Sequence, residues 1–227
     1  MAYRNKDNSF PAIATSKDGG QSWKDIIIGK ATGNPAAIYL DPKNSENVFV
    51  AGNIRKSGRN VGVIYKSTDG GLNWREVYIN ELDNDQSISD QFQYGDPIRN
   101  IVNGQSGVVF LRTLPVSTVH YFVDICVNPK KPSEIYAAAG NGLFISEDFG
   151  DNWKKFRAGK FSKVCVSEEG EVFGLMDNSV IYLDNSGSEW RKINTIKSSN
   201  QYTDFIVDSE NRKLILGSYG GIQTINY

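Results

Sequence analysis

Histidine is nearly absent from this chain, with the single copy His120, and cysteine and methionine follow at two each. One imidazole removes any multi-histidine metal centre, so His120 reads as a structural or edge-strand residue. Two cysteines are too few for a disulfide scaffold. Cys126 in Asp-Ile-Cys-Val-Asn and Cys165 in Lys-Val-Cys-Val-Ser occupy equivalent strand contexts and read as small buried apolar residues. Long apolar runs are also missing. Stretches such as Ile26 to Ile28 and Val108 to Leu111 fall far below the ~20 residues that cross a bilayer as a helix. Neither sign of charge dominates, with 25 basic and 26 acidic side chains and a net charge of -1. That balance gives no global field for a polyanion and argues against nucleic acid as the main partner. Met1 to Pro11 carries Arg4, Lys6 and Asp7 where a secretory signal needs a continuous apolar core. A mature segment and a cytosolic chain are both compatible with that start.

What is present suits one domain, residues 1-227. A hydrophobic fraction of 39% supports a packed core, and 22 glycines against seven prolines mark many turns without low-complexity disorder. The strongest signal is an internal repeat. Ser16-Lys-Asp18-Gly-Gly20-Gln-Ser-Trp23, Ser67-Thr-Asp69-Gly-Gly71-Leu-Asn-Trp74 and Ser146-Glu-Asp148-Phe-Gly150-Asp-Asn-Trp153 all read Ser-x-Asp-x-Gly-x-x-Trp. A decayed fourth copy ends in Asn185, Gly187 and Trp190. Each follows a short β-rich run and precedes another, which is the pattern of a hairpin. The Asp carboxylate can accept turn N–H groups, Gly supplies a positive φ, and Trp packs under the loop.

A second hairpin recurs upstream of these turns. Ala37 to Pro42 with Asn47 to Ala51, Asp124 to Pro129 with Glu134 to Ala138, Ser162 to Ser167 with Glu171 to Leu175, and Asp204 to Ser209 with Lys213 to Gly217 are four copies. Arg99 to Asn103 with Gly107 to Leu111 is a fifth. Their near-continuous apolar strands indicate sheets covered on both faces. Two hairpins in series make a four-stranded antiparallel unit of about 40 residues, the size of a propeller blade. The expected fold is all-β: a β-propeller of five blades, one of them closed by both termini and one truncated around Arg99 to Leu111. The alternative is an incomplete piece of a six- or seven-bladed propeller.

At these turns the chain resembles the Asp-box, or bacterial neuraminidase repeat (BNR), β-propellers. That superfamily includes sialidases, plant-polysaccharide glycoside hydrolases, sortilin-type receptor domains and photosystem II assembly factors. The resemblance implies a propeller whose Asp boxes lie at the periphery, on the face opposite the usual ligand site, so Asp18, Asp69 and Asp148 are structural. If the chain is a mature segment, the expected location is extracellular or cell-surface, with a cytoplasmic location as the alternative. Fold alone does not imply function.

Catalytic signals are thin. The Phe or Tyr-Arg-Ile-Pro string that the resemblance would place in a sialidase is absent, and Tyr3-Arg4 is not followed by Ile-Pro. Other glycosidases need two facing carboxylates about 5 to 9.5 Å apart. Asp96, Asp177 and Asp204 fall near expected loops, where acidic residues ordinarily form solvated turns. The run from Asp83 has Ile88 and Tyr94 where a calcium loop needs glycine and glutamate. No catalytic residue, metal site or cofactor is expected. A binding face opposite the Asp boxes is better supported, built from the loops 52–62 and 81–98 and shorter turns. It would present Asn53, Arg55, Arg59, Tyr94, Asp96, Arg99, Asn141, Tyr202 and Tyr219 to a protein or glycan, since amides, guanidiniums and tyrosines suit peptides and hydroxyl-rich ligands.

Overall fold

The computed structural model describes residues 2–4, 11–29, 31, 33–41, 43–80, 121–177, 179–183, 189–193 and 202–227. Among these, eighteen strands and no helix form five antiparallel sheets. Sheet I holds β1 (Ala2–Arg4), β2 (Pro11–Thr15) and β3 (Lys24–Ile27). Sheet II holds β4 (Gly33–Leu40), β5 (Val48–Lys56), β6 (Arg59–Ser67) and β7 (Arg75–Asn80). Sheet III holds β8 (Phe122–Val127), β9 (Ile135–Ala139), β10 (Gly142–Ser146) and β11 (Lys154–Arg157), and sheet IV holds β12 (Phe161–Val166), β13 (Val172–Met176), β14 (Ser179–Leu183) and β15 (Trp190–Lys192). Sheet V holds β16 (Tyr202–Asp208), β17 (Lys213–Ser218) and β18 (Gly221–Asn226). Within each sheet the strands lie in sequence order, the meander of a propeller blade.

Apolar layers bind successive sheets face to face. Phe49, Ala51 and Ile64 of sheet II meet Phe122, Ile125, Ile135 and Phe144 of sheet III. The intervening residues of β9 and β10, Tyr136, Ala138, Leu143 and Ile145, turn the other way onto Phe161, Val164 and Val172 of sheet IV. Phe173, Leu175 and Val180 continue the stack onto Phe205, Leu214 and Leu216 of sheet V. Ile13 of sheet I and Ile28, just past its last strand, cover Val50, Val63 and Tyr65 of sheet II. Side chains alternate across a strand, so a central sheet buried on both faces must be apolar at consecutive positions, as β9 and β10 are.

The arrangement differs from the expected blades in three respects. Among the described residues the two ends do not share a sheet: β2 is paired on one side by β1 and on the other by β3, so neither of its edges is free for a carboxy-terminal strand. Sheets II and III pack directly against each other, although a blade was expected between them; the copy at Arg99 to Leu111 lies outside the described residues. The segment 52–62 is no loop, because β5 and β6 remain paired from Val48↔Ser67 out to Lys56↔Arg59.

A shared irregularity marks the first strand of four sheets. β4, β8, β12 and β16 each shift register by one residue, at Ala36, Val123, Ser162 and Thr203. Such bulges re-aim the side chain that follows them. Here that brings Ala37, Asp124, Lys163 and Asp204 to one level.

Candidate functional site

The three complete motif turns share one hydrogen-bond pattern. Ser16, Ser67 and Ser146 donate from Oγ to the Oδ1 of Asp18, Asp69 and Asp148 at 2.7, 2.7 and 2.8 Å. The same hydroxyls accept the N–H of Gly20, Gly71 and Gly150. Trp23, Trp74 and Trp153 donate from Nε1 to the carbonyls of those glycines at 3.0, 2.9 and 3.1 Å. Hydrogen bonds from Ser22, Asn73 and Asn152, each four residues on, hold the aspartic acids at about 2. Each carboxylate is occupied in closing its own turn. Asn185 and Gly187 lie outside the described residues, while Trp190 opens β15.

The tryptophans cover the seam with the preceding sheet. Trp74 packs on the cluster containing Ile13 and Ile28, Trp153 on that of Phe49 and Ala51, and Trp190 on that of Tyr136 and Leu143. Trp23 departs from this pattern at 53% exposure. Among the described residues no sheet precedes its own, so the ring has nothing to cover.

Antiparallel pairing places the β5–β6, β9–β10, β13–β14 and β17–β18 turns at the end opposite these motifs. The β5–β6 hairpin is exceptional there. Its Gly52↔Val63 pair stands level with Ala139↔Gly142 of sheet III, counting from the matched pairs Val48↔Ser67 and Ile135↔Ser146. β4 and β7 still pair with Asn53, Ile54 and Gly62, so the hairpin outruns its own sheet at Arg55, Lys56, Arg59 and Asn60, about 7 Å at ~3.3 Å per residue. Ser57 and Gly58, with φ of 51° and 79°, close the tip as a two-residue turn of the primed kind. Ile54 and Val61, directly opposite each other, are buried in the sheet I–II core and anchor the extension.

The expected binding residues divide accordingly. Asn53, Arg55 and Arg59 all lie on this arm, and Asn34 donates from Nδ2 to Asn53 Oδ1 at 3.5 Å. Gly33 and Gly52 permit that approach, since a Cβ on either would strike the opposing backbone. Asn141, in the β9–β10 turn, exchanges side-chain hydrogen bonds with Asn80 at 2.9 and 3.3 Å, joining sheets II and III. Tyr219 projects from the β17–β18 turn at 88% exposure. Tyr202 belongs to the core instead, packed among Phe173, Leu175 and Leu216, with its hydroxyl donating to Gln223. Tyr94, Asp96 and Arg99 lie outside the described residues, as do loop 81–98 and His120.

One arrangement was missed in the sequence. Lys163 Nζ stands 3.5 Å from Asp124 Oδ2 and 3.3 Å from Asp204 Oδ1, linking the first strands of three consecutive sheets. Burial pushes the Asp124 carboxyl above its ordinary value against the pull of Lys163 and the Val164 N–H. Burial would lower Lys163, yet the two carboxylates outweigh it and leave the ammonium raised. Aligning the repeats on their first strands puts these residues in register, but nothing in that alignment says that they touch. Asp177 stands apart from them in the β13–β14 turn. Both cysteines are free, and the described residues contain no cluster of three or more metal-ligating side chains.

No family model matches the chain, and no curated protein is similar to it. Solved structures are similar in fold. YCF48 bound to D1 peptide aligns with a TM-score of 0.56 at 12% identity over 96% of this chain and 59% of that one. An ancestral GH74 enzyme aligns with a TM-score of 0.65 at 14% identity over 100% of this chain and 30% of the enzyme. An auxiliary nutrient binding protein from Bacteroides thetaiotaomicron aligns with a TM-score of 0.53 at 12% identity over 87% and 39%. The chain thus spans less than two-thirds of each. At these identities the likeness defines the fold, which is a β-propeller.

Proposed function

We propose that residues 1-227 form one Asp-box propeller domain acting as a noncatalytic binding or assembly module, which recognises a protein or glycan on the face opposite the Asp boxes. The β5–β6 arm is the observation that carries this reading: it exceeds the blade, is anchored by Ile54 and Val61, and displays Asn53, Arg55 and Arg59. A rigid excursion from a repeating scaffold is where recognition ordinarily resides. The similar folds of YCF48 bound to D1 peptide and of a nutrient binding protein are compatible with it. Tyr94, Asp96, Arg99, Asn141 and Tyr219 are read as further contacts on the same face. The compartment is read as extracellular or cell-surface.

A glycoside hydrolase is the second reading, favoured by Asp124 and Asp204, two carboxylates at one level on first strands. The Lys163 ammonium between them weighs against it, because it ion-pairs with both carboxylates and occupies the space a glycosidic oxygen would need. Incubation with sialyllactose and a panel of soluble plant polysaccharides separates the readings. The binding module releases no reducing sugar or sialic acid. Hydrolysis that disappears in Asp124→Asn or Asp204→Asn would establish the enzyme instead.

A further inference from the structure

The β5–β6 arm carries three cations within five residues, Arg55, Lys56 and Arg59, around a two-residue turn. Lys56 and Arg59 are directly opposed across the ladder. Like charges in that position weaken a hairpin, so the fold itself gains nothing from them. Among the described residues, neither Arg55 nor Arg59 forms an ion pair. With a net charge of -1, the chain is not generally basic, and this concentration is local.

The arm is also preorganised. Ile54 and Val61 fix its base in the core, and the turn leaves no slack between its strands. Cations held on a rigid support lose less entropy on meeting a partner than cations on a mobile loop. Alternation along β5 puts Asn53 and Arg55 on the side that carries Phe49 and Ala51 into the sheet II–III core, and Asn60 pairs opposite Arg55. Amide and guanidinium groups therefore share the side of the arm that overlooks sheet III.

We propose that this arm recognises an acidic, extended segment of a protein partner, with a carboxylate on the Arg55 guanidinium and the segment's backbone on the Asn53 and Asn60 amides. Lys56 and Arg59 add attraction at the tip. The proposal rests on the binding-module reading above and names its partner. The chemistry selects among anions. A guanidinium matches a carboxylate through two parallel N–H bonds, and an amide offers the donor and acceptor that a peptide backbone requires. Residues 53–62 contain no aromatic ring on which a nucleobase could stack.

The test uses the full chain and fluorescence anisotropy with a labelled glutamate-rich peptide, beside a neutral Ser/Gly peptide, inorganic phosphate and oligothymidylate as comparison probes. The acidic peptide is expected to bind, to weaken as salt rises toward physiological strength, and to lose about tenfold or more in affinity in Arg55→Ala/Arg59→Ala. Both residues are exposed, so the variant should keep its melting temperature, which is measured alongside. Asn53→Ala should weaken the peptide further without changing the salt dependence. Undiminished affinity in the folded double variant, oligothymidylate binding as tight as the peptide, or competition by phosphate at equal charge would each overturn the proposal. Neutral-peptide binding without acidic-peptide binding overturns the acidic partner alone, whereas glycan hydrolysis overturns the binding-module reading alone.

Discussion

Lys66 of sheet II lies with its Nζ 2.7 Å from Asp151 Oδ1 in the motif turn of sheet III, and the Lys66 side chain is almost wholly buried. Arg75 reaches the same carboxylate, and the Lys66 hydrogen bond leads in holding Asp151 below its usual range. Removing the acid leaves a buried ammonium without its main partner, while removing the lysine leaves a half-exposed acid still served by Arg75. Asp151→Ala should therefore cost about 1 to 3 kcal/mol and Lys66→Met less than about 1 kcal/mol. Chemical denaturation of both variants checks that order.

The tryptophan turns should differ in worth although their sequences agree. Trp74 and Trp153 cover seams between sheets, whereas Trp23 is exposed. Alanine at Trp74 or Trp153 is expected to cost about 2 to 4 kcal/mol and at Trp23 less than about 1 kcal/mol. Equal losses at all three positions would mean that the turn, rather than the seam, sets their contribution.

Phe149 adopts a φ of +60° where Gly19 and Gly70 stand in the other motif turns, and its ring is half exposed. A bulky residue is strained in that region of backbone space. Phe149→Gly should raise stability by up to about 1 kcal/mol, and Phe149→Val should lower it. Thermal melts of the two variants read opposite signs.

Acid should loosen the motif turns. Asp18, Asp69 and Asp148 fall from the ordinary 3.8 to about 2 in the folded chain, so their stabilisation is present above pH 3.8 and lost as pH falls toward 2. Wild-type melting temperature should drop across that window. The combined Asp18→Asn, Asp69→Asn and Asp148→Asn variant should start lower at neutral pH and fall less over the same range.

How far the sequence carries depends on the distance over which each interaction is decided. The motif turn was legible because its bonds join residues two to four apart, such as Gly71 to Ser67 and Asn73 to Asp69, and eight residues contain the whole unit. Continuous apolar runs such as Ile135–Ala139 likewise announced strands buried on both faces. The arm was half legible: its excess length showed as a departure from the repeat. Its pairing did not, because Ser57-Gly58 reads as an ordinary turn until Ile54 and Val61 are seen to be buried opposite each other.

The sequence by itself determined the hairpins, their turns and the repeated sheet, since local hydrogen bonds and side-chain alternation require no knowledge of neighbours. Only the tertiary structure decided that Trp23 is exposed while Trp153 is covered, that sheets II and III meet directly, and that Lys163 stands between Asp124 and Asp204. Those outcomes depend on which sheet lies against which face. That is settled by burying apolar surface between strands far apart in the chain, and no local pattern encodes it.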